Sequence, residues 1–289
     1  MLALRALAPW WVRLALKIAL APIPYRVWQR ASLFRHGDMQ NARYVMGVFE
    51  KHRGFVGILP SKPVLLEIGP GDSIGSALLA SAIGAARTYL VDAGQFASSD
   101  VRLYRGMARS LADAGYPVPD ITHAESMLDL LSACRATYLT EGVKSLAAIP
   151  AGSVDFAWSN TVLQHVPRSD LRTLAVELRR ILKPAGVSSH TIDFKDMLGG
   201  GLNHLRVPSM IWESRLVKRS RAYSNRLRYS ELLDIFREAD LSVEIVTQKS
   251  WRELPTPREA MSAPFRRMAA DDLLTYHVDA VMRPTARIM

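Results

Sequence analysis

The chain has 289 residues, 49% of them apolar, which suits one elaborated domain or two small ones. Its 37 basic against 27 acidic residues leave a formal charge of +10, which favours anionic neighbours without selecting a fold. The single cysteine, Cys134, excludes an internal disulfide and any cysteine-built metal site.

Residues 1–35 read as a helical extension ahead of one domain over 36–289. Met1 to Trp28 is mostly apolar but is interrupted by Arg5, Arg13, Lys17 and Arg26. No run approaches the ~20 uncharged residues that cross a bilayer, and no clean signal-peptide cleavage site follows. Pro9 suits the first turn of a helix, and Pro22 and Pro24 would end it. Arg13 and Lys17 lie one turn apart on that helix, while Trp10, Trp11, Leu14, Leu16, Ile18 and Leu20 cover the rest. Two expectations follow. Either the helix packs on the domain as a lid, or residues 9–20 lie in a membrane interface with the basic side chains reaching headgroups. The expected location is the cytoplasm, peripheral to the inner face of the membrane under the second expectation.

Val64-Leu65-Leu66-Glu67-Ile68 reads as a short buried strand running into the turn Gly69-Pro70-Gly71-Asp72-Ser73. Apolar residues resume at Ile74, Ala77, Leu78 and Leu79 as a helix. Such a turn lets backbone N–H groups and a helix N-terminus approach a nucleotide-like ligand. Arg87 to Asp92 reads as a second strand ending in a carboxylate, about 20 residues on, where an acid reaches ribose hydroxyls. A nicotinamide dinucleotide and S-adenosylmethionine compete for this geometry. The dinucleotide fingerprint wants glycine at the first, third and sixth positions, occupied here by Gly69, Gly71 and Ile74, so its third glycine is missing.

Residues 95–135 read as helical, broken at Gly115-Tyr116-Pro117-Val118-Pro119, and 136–139 as a third strand. Ser153 to Asn160 reads as a fourth. Leu171, Leu174, Ala175, Leu178, Ile181 and Leu182 fall at helical spacing, with Ser169 placed to cap and Pro184 to stop. A fifth strand through His190 leads into an insertion at about 195–229, entered by Gly199-Gly200-Gly201 and carrying Arg206, Arg215, Lys218, Arg219, Arg221, Arg226 and Arg228. This insertion is the expected substrate cap. Its arginines would grip a phosphate or carboxylate bidentately, or form a solvated face. A helix opening at Ser230 and alternating strands at 241–246 and 276–282 complete the pattern.

Glu67-x-Gly69-x-Gly71 resembles motif I of the class I S-adenosylmethionine-dependent methyltransferases, closest to a bacterial group with Glu-x-Gly-Pro-Gly-Asp-Ser there. Ser153 to Asn160 resembles that family's fourth strand, and Val162 to Val166 the segment after it. Lys183-Pro184-Ala185-Gly186 resembles its turn into strand five, with Ala185 a departure. The resemblance spans roughly residues 31–289. It implies an α/β Rossmann-like fold, a mainly parallel seven-stranded sheet flanked by helices. It also implies S-adenosylmethionine as cofactor, held by Glu67, Gly69, Gly71, Asp92 and Asn160.

The expected activity is O-methylation of a sugar hydroxyl on a glycan, glycolipid or secondary metabolite. Its rivals are a nucleic-acid methyltransferase and a non-catalytic cofactor-binding protein. A hydroxyl acceptor needs a base, and His165 and His190, both near strand ends, are the candidates. Asp193 and Asp196 are alternative bases or partners for an imidazole. Related sequences carry Glu and His where this chain has Gln164 and Met197. The spacing of His165, His190, Asp193 and Asp196 demands no metal, and none is expected. The expected partner is a small-molecule or glycan acceptor bearing an anionic group. RNA is the weaker reading, because no appended binding module is visible.

Overall fold

The computed structural model describes residues 8–25, 27 and 37–285. Five strands pair in parallel: β1 (Val64–Ile68), β2 (Arg87–Val91), β3 (Ala136–Leu139), β4 (Val154–Asn160) and β5 (Leu182–Asp193). Two more, β6 (Leu241–Ser250) and β7 (Thr275–Pro284), complete a sheet of order β3-β2-β1-β4-β5-β7-β6. β7 runs antiparallel to both of its neighbours. Strands covered on both faces are buried almost throughout, as β1 and β4 are.

Alternation along each strand divides the apolar side chains between two cores. Leu66, Ala157, Ile192 and Val278 meet Leu171, Leu174 and Leu178 of one helix (Arg168–Ile181) and Leu232, Leu233 and Phe236 of another (Tyr229–Arg237). Leu65, Leu90, Phe156 and Trp158 face the other way. They meet Val45 and Phe49 of a helix at Ala42–Val56, Leu78 of Ser76–Ala82, and Tyr104, Met107 and Leu111 of Val101–Asp113. In chain order these helices are α2 (Ala42–Val56), α3 (Ser76–Ala82), α4 (Val101–Asp113), α5 (Met127–Ala133), α6 (Arg168–Ile181) and α7 (Tyr229–Arg237), after α1 (Trp10–Ala19).

Some local expectations need adjustment. Pro167, not Ser169, precedes α6, and the Ser169 hydroxyl donates to Asp170 within the first turn. The helix ends before Pro184 because a residue ahead of proline is pushed to extended backbone, so β5 begins at Leu182. α2 has no counterpart among the expected elements, although Asn41 caps it by accepting from the Arg43 N–H at 3.0 Å.

The insertion folds into short helical turns, Asn203–Arg206, Ser209–Trp212 and Arg215–Lys218. These enclose a small core of Leu198, Val207, Trp212, Val217, Ala222 and Tyr223, onto which Trp10, Leu14 and Ile18 of α1 pack. Arg13 donates to the Leu198 carbonyl at 2.9 Å and Lys17 to the Arg221 carbonyl at 3.1 Å. The two cations of α1 therefore turn inward onto the insertion, away from the side the interfacial expectation gave them. Two of the insertion's arginines are likewise not at the surface. Arg228 is buried and donates to the carbonyls of Phe194, Asp272, Leu273 and Thr275; Arg226 donates to those of His204 and Val207. No helix among the described residues is long and apolar enough to cross a membrane.

Candidate active site

The strand order reverses between β1 and β4, and in an open parallel sheet such a switch opens a crevice at the carboxyl ends. Gly69 and Gly71 end β1 there with φ of 76° and 66°, backbone that favours glycine. A Cβ on Gly69 would sit 2.4 Å from Val162 Cγ2, so the turn presses directly against the segment after β4. The Gly71 N–H donates to Asp92 Oδ2 at 2.9 Å, and the Ala93 N–H donates to Asp92 Oδ1 at 2.7 Å. The acid after β2 and the glycine turn thus face each other across the crevice. Gly75 packs closely too, since a Cβ there would lie 2.3 Å from Met107 Cε of α4.

Glu67, expected at the cofactor, is a buried side chain of β1. It is 2% exposed, lies beneath the turn, accepts from the Ser76 hydroxyl and accepts from Trp158 Nε1 at 3.2 Å. Burial pushes its pKa up to about 7, against the pull of those two hydrogen bonds. It ties β1 to α3 and β4. Asp72, also buried, accepts from the Tyr25 hydroxyl, and Tyr25 lies edge-on to Phe96 with ring centroids 5.2 Å apart. The Arg221 guanidinium of the insertion lies 5.6 Å from the Tyr25 ring centroid. The N-terminal segment therefore reaches over the glycine turn and joins it to the insertion.

The four expected acid–base residues separate. His165, half-buried after β4, has its Nδ1 2.9 Å from the Tyr223 carbonyl. A carbonyl only accepts, so Nδ1 carries the hydrogen and Nε2 is the unprotonated nitrogen of the neutral ring. His190 is 0% exposed, stacked on Phe236 with Nδ1 2.8 Å from Ser159 Oγ, and burial holds its pKa at about 3. It points into the core from the other face of β5, out of an acceptor's reach. Asp196 accepts from the backbone N–H groups of Leu198, Gly200, Gly201 and Asn203 and organises the entry to the insertion. Asp193 accepts from the Lys195 N–H at 2.8 Å and pairs with its ammonium at 3.2 Å. Among the described residues no three His, Cys, Asp or Glu side chains gather closely enough to hold a metal ion.

A polar cluster absent from the expectations lines the same edge. Lys51 of α2 bonds to the Thr191 hydroxyl and lies 3.3 Å from both Asn160 Oδ1 and Asp279 Oδ1. Asn160, expected at the cofactor, is thus engaged by α2, and its amide also donates to the Tyr44 hydroxyl at 3.4 Å. The Thr191 hydroxyl donates to Asp279 at 2.5 Å, and His277 Nε2 is 3.3 Å from the other Asp279 oxygen. Burial opposes ionisation of Asp279, but Thr191, Lys51 and His277 outweigh it and hold the carboxyl below its ordinary range. His52 lies between Ser189 and Thr191, and burial with the adjacent Lys51 charge keeps it neutral, its pKa down to about 3. The alternation of His277 and Asp279 in a strand puts both on one face, a signal the sequence did contain.

Residues 104–189 match a family model described as a methyltransferase domain. The sheet order fits it. This is the Rossmann-like class I methyltransferase fold. The match starts after the glycine turn and Asp92 and runs from α4 into β5. No curated protein matches the chain. Among solved structures, an S-adenosylmethionine-dependent methyltransferase from Methanosarcina mazei is 16% identical, with 79% of this chain and 95% of that one covered and a TM-score of 0.47. Phosphoethanolamine N-methyltransferase 2 from Haemonchus contortus is 16% identical over 83% of this chain and 53% of that one, with a TM-score of 0.46. A Mesorhizobium loti S-adenosylmethionine-dependent methyltransferase is 13% identical over 84% and 98%, with a TM-score of 0.44.

Proposed function

We propose that the chain is an S-adenosylmethionine-dependent methyltransferase acting on a hydroxyl, that of a sugar in a glycan, glycolipid or secondary metabolite. The observation that carries the cofactor assignment is the crevice at the β1–β4 switch. There two glycines with positive φ face Asp92, and Val162 packs so closely on Gly69 that no side chain fits at that position of the turn. Gly69 and Gly71 would present backbone to the cofactor, and Asp92 would exchange its turn hydrogen bond for ribose hydroxyls. Glu67 supports that floor from below.

When bound, the cofactor supplies an electrophilic methyl group on a sulfonium. The protein's own share is to align an acceptor in line with it and to take the acceptor's proton. His165 serves as that base, since its hydrogen bond to Tyr223 fixes the tautomer with the basic nitrogen at Nε2. The bond ties the base to the insertion, so the expected cap also orients it. Lys51, Thr191, His277 and Asp279 form the polar wall beside Asn160 and orient a polyol or anionic acceptor. Burial of Arg226 and Arg228 takes two cations from the surface an RNA ligand would need.

Calorimetry tests the reading. S-adenosylmethionine and S-adenosylhomocysteine should bind, NAD should not, and Gly71→Val should abolish binding. Tight NAD binding with none for the sulfonium ends the proposal. Transfer of labelled methyl to a panel of sugar acceptors tests the hydroxyl assignment. Cofactor binding without turnover on any acceptor favours the non-catalytic alternative.

A further inference from the structure

α1 uses one face to pack on the insertion, and the rest of it is unusual. Trp10, Leu14 and Ile18 contact the insertion core, and Arg13 and Lys17 turn inward to backbone carbonyls. The remaining half carries Trp11, Val12, Ala15, Leu16 and Ala19, continued by Leu20, with the Trp11 indole N–H as its one polar side-chain group. Trp11 and Leu16 are 59% and 53% exposed. The adjoining short helices add to this surface. Trp212 and Val217 lie in the core beneath α1, while their chain neighbours Met210, Ile211 and Leu216 face outward at 86%, 51% and 69% exposure. Exposed Arg215, Lys218 and Arg219 border Leu216. Solitary exposed apolar residues need no explanation, but this many on adjoining elements mark an interaction surface.

We propose that this surface, made by the outer face of α1 and the turns 209–212 and 215–218, docks on an anionic phospholipid membrane. Charge complementarity and hydrogen bonding select that occupant. A protein partner normally exchanges about one hydrogen bond per 100–200 Å² of interface, and the outer half of α1 offers a single side-chain donor, the Trp11 indole N–H, and no acceptor. Hydrocarbon asks for none. An amphipathic element lying in the headgroup region buries its apolar face while flanking cations meet lipid phosphates. Here the insertion's Arg215 and Arg219 supply those cations, Lys218 being paired with Glu213 at 3.1 Å, and α1 itself supplies mainly apolar contact. The docked elements belong to the cap over the crevice, so docking would bring the site's mouth to the lipid headgroups. The inference is independent of the methyl-transfer reading.

Full-length protein is sedimented with vesicles of phosphatidylcholine alone and of phosphatidylcholine mixed with phosphatidylserine. Binding to the mixed vesicles and weak binding to the neutral ones is expected. Arg215→Gln with Arg219→Gln should weaken partitioning about thirtyfold, since each basic residue near an anionic surface contributes about 1 kcal/mol. Trp11→Ser with Leu16→Ser should abolish it while the circular-dichroism spectrum and melting temperature stay unchanged. In the wild type, lipids brominated near the headgroup should quench tryptophan fluorescence more than those brominated at the chain terminus. That readout needs no variant. Absence of wild-type binding to the mixed vesicles, or full binding by both double variants, overturns the proposal. So does a sedimentation-velocity dimer that Trp11→Ser disperses without any vesicle binding, which would make the face a protein interface.

Discussion

Replacing Glu67 by Gln should make the protein less sensitive to alkaline conditions. The Glu67 carboxyl is 2% exposed, and its two oxygens meet the Ser76 hydroxyl and the Trp158 indole N–H. Burial raises its pKa from 4.5 to about 7, so the folded chain holds this proton more tightly than the unfolded chain does. The contribution is complete below pH 4.5 and is lost as the pH climbs through about 7. At 1.36 kcal/mol for each pH unit, the loss over that window is about 3 kcal/mol. Gln keeps the shape, accepts from Trp158 with its carbonyl and donates to Ser76 with its amide, but has nothing to ionise. Urea unfolding of both proteins at intervals from pH 4.5 to 8 reads the effect, because every other titrating group cancels in the difference. The variant should gain about 3 kcal/mol on the wild type across this range. Stability profiles that stay parallel would show that Glu67 folds as a solvated carboxylate, and the argument would fail.

Three other outcomes are expected. His165→Ala should lower kcat on a hydroxyl acceptor about 10²–10⁴-fold with little change in cofactor affinity by calorimetry, whereas His190→Gln should act through melting temperature. Gly69→Ala should lose cofactor binding. Adding Val162→Ala should restore part of the stability by removing the 2.4 Å contact, leaving the positive-φ penalty in thermal melts. Arg228→Met leaves four carbonyls without their shared donor and should cost about 3–5 kcal/mol in urea denaturation; a loss below 1 kcal/mol would deny it that role.

The sequence by itself determined whatever depends on neighbours along the chain. The apolar run of β1, the glycine turn, the carboxylate after β2, the spacing of α6 and the alternation of β6 and β7 all follow from local sterics and side-chain periodicity. α2 is equally local in its pattern of Val45, Val48, Phe49 and His52, but no motif points to it. Only the tertiary structure decided what the polar residues do. Glu67 sits in a motif at the crevice, but pairing of β1 with β4 brings Trp158 to it and turns it into a support. His190 and Thr191 are adjacent in β5, and the pleat sends one into the core beside Phe236 and the other to Lys51 and Asp279. Asp196 looks like a free acid in sequence and is consumed by four backbone donors. Arg226 and Arg228 read as surface charge until carbonyls from distant segments close around them. Burial and long-range partners set the state of an ionisable group, and neither is written in its immediate neighbours.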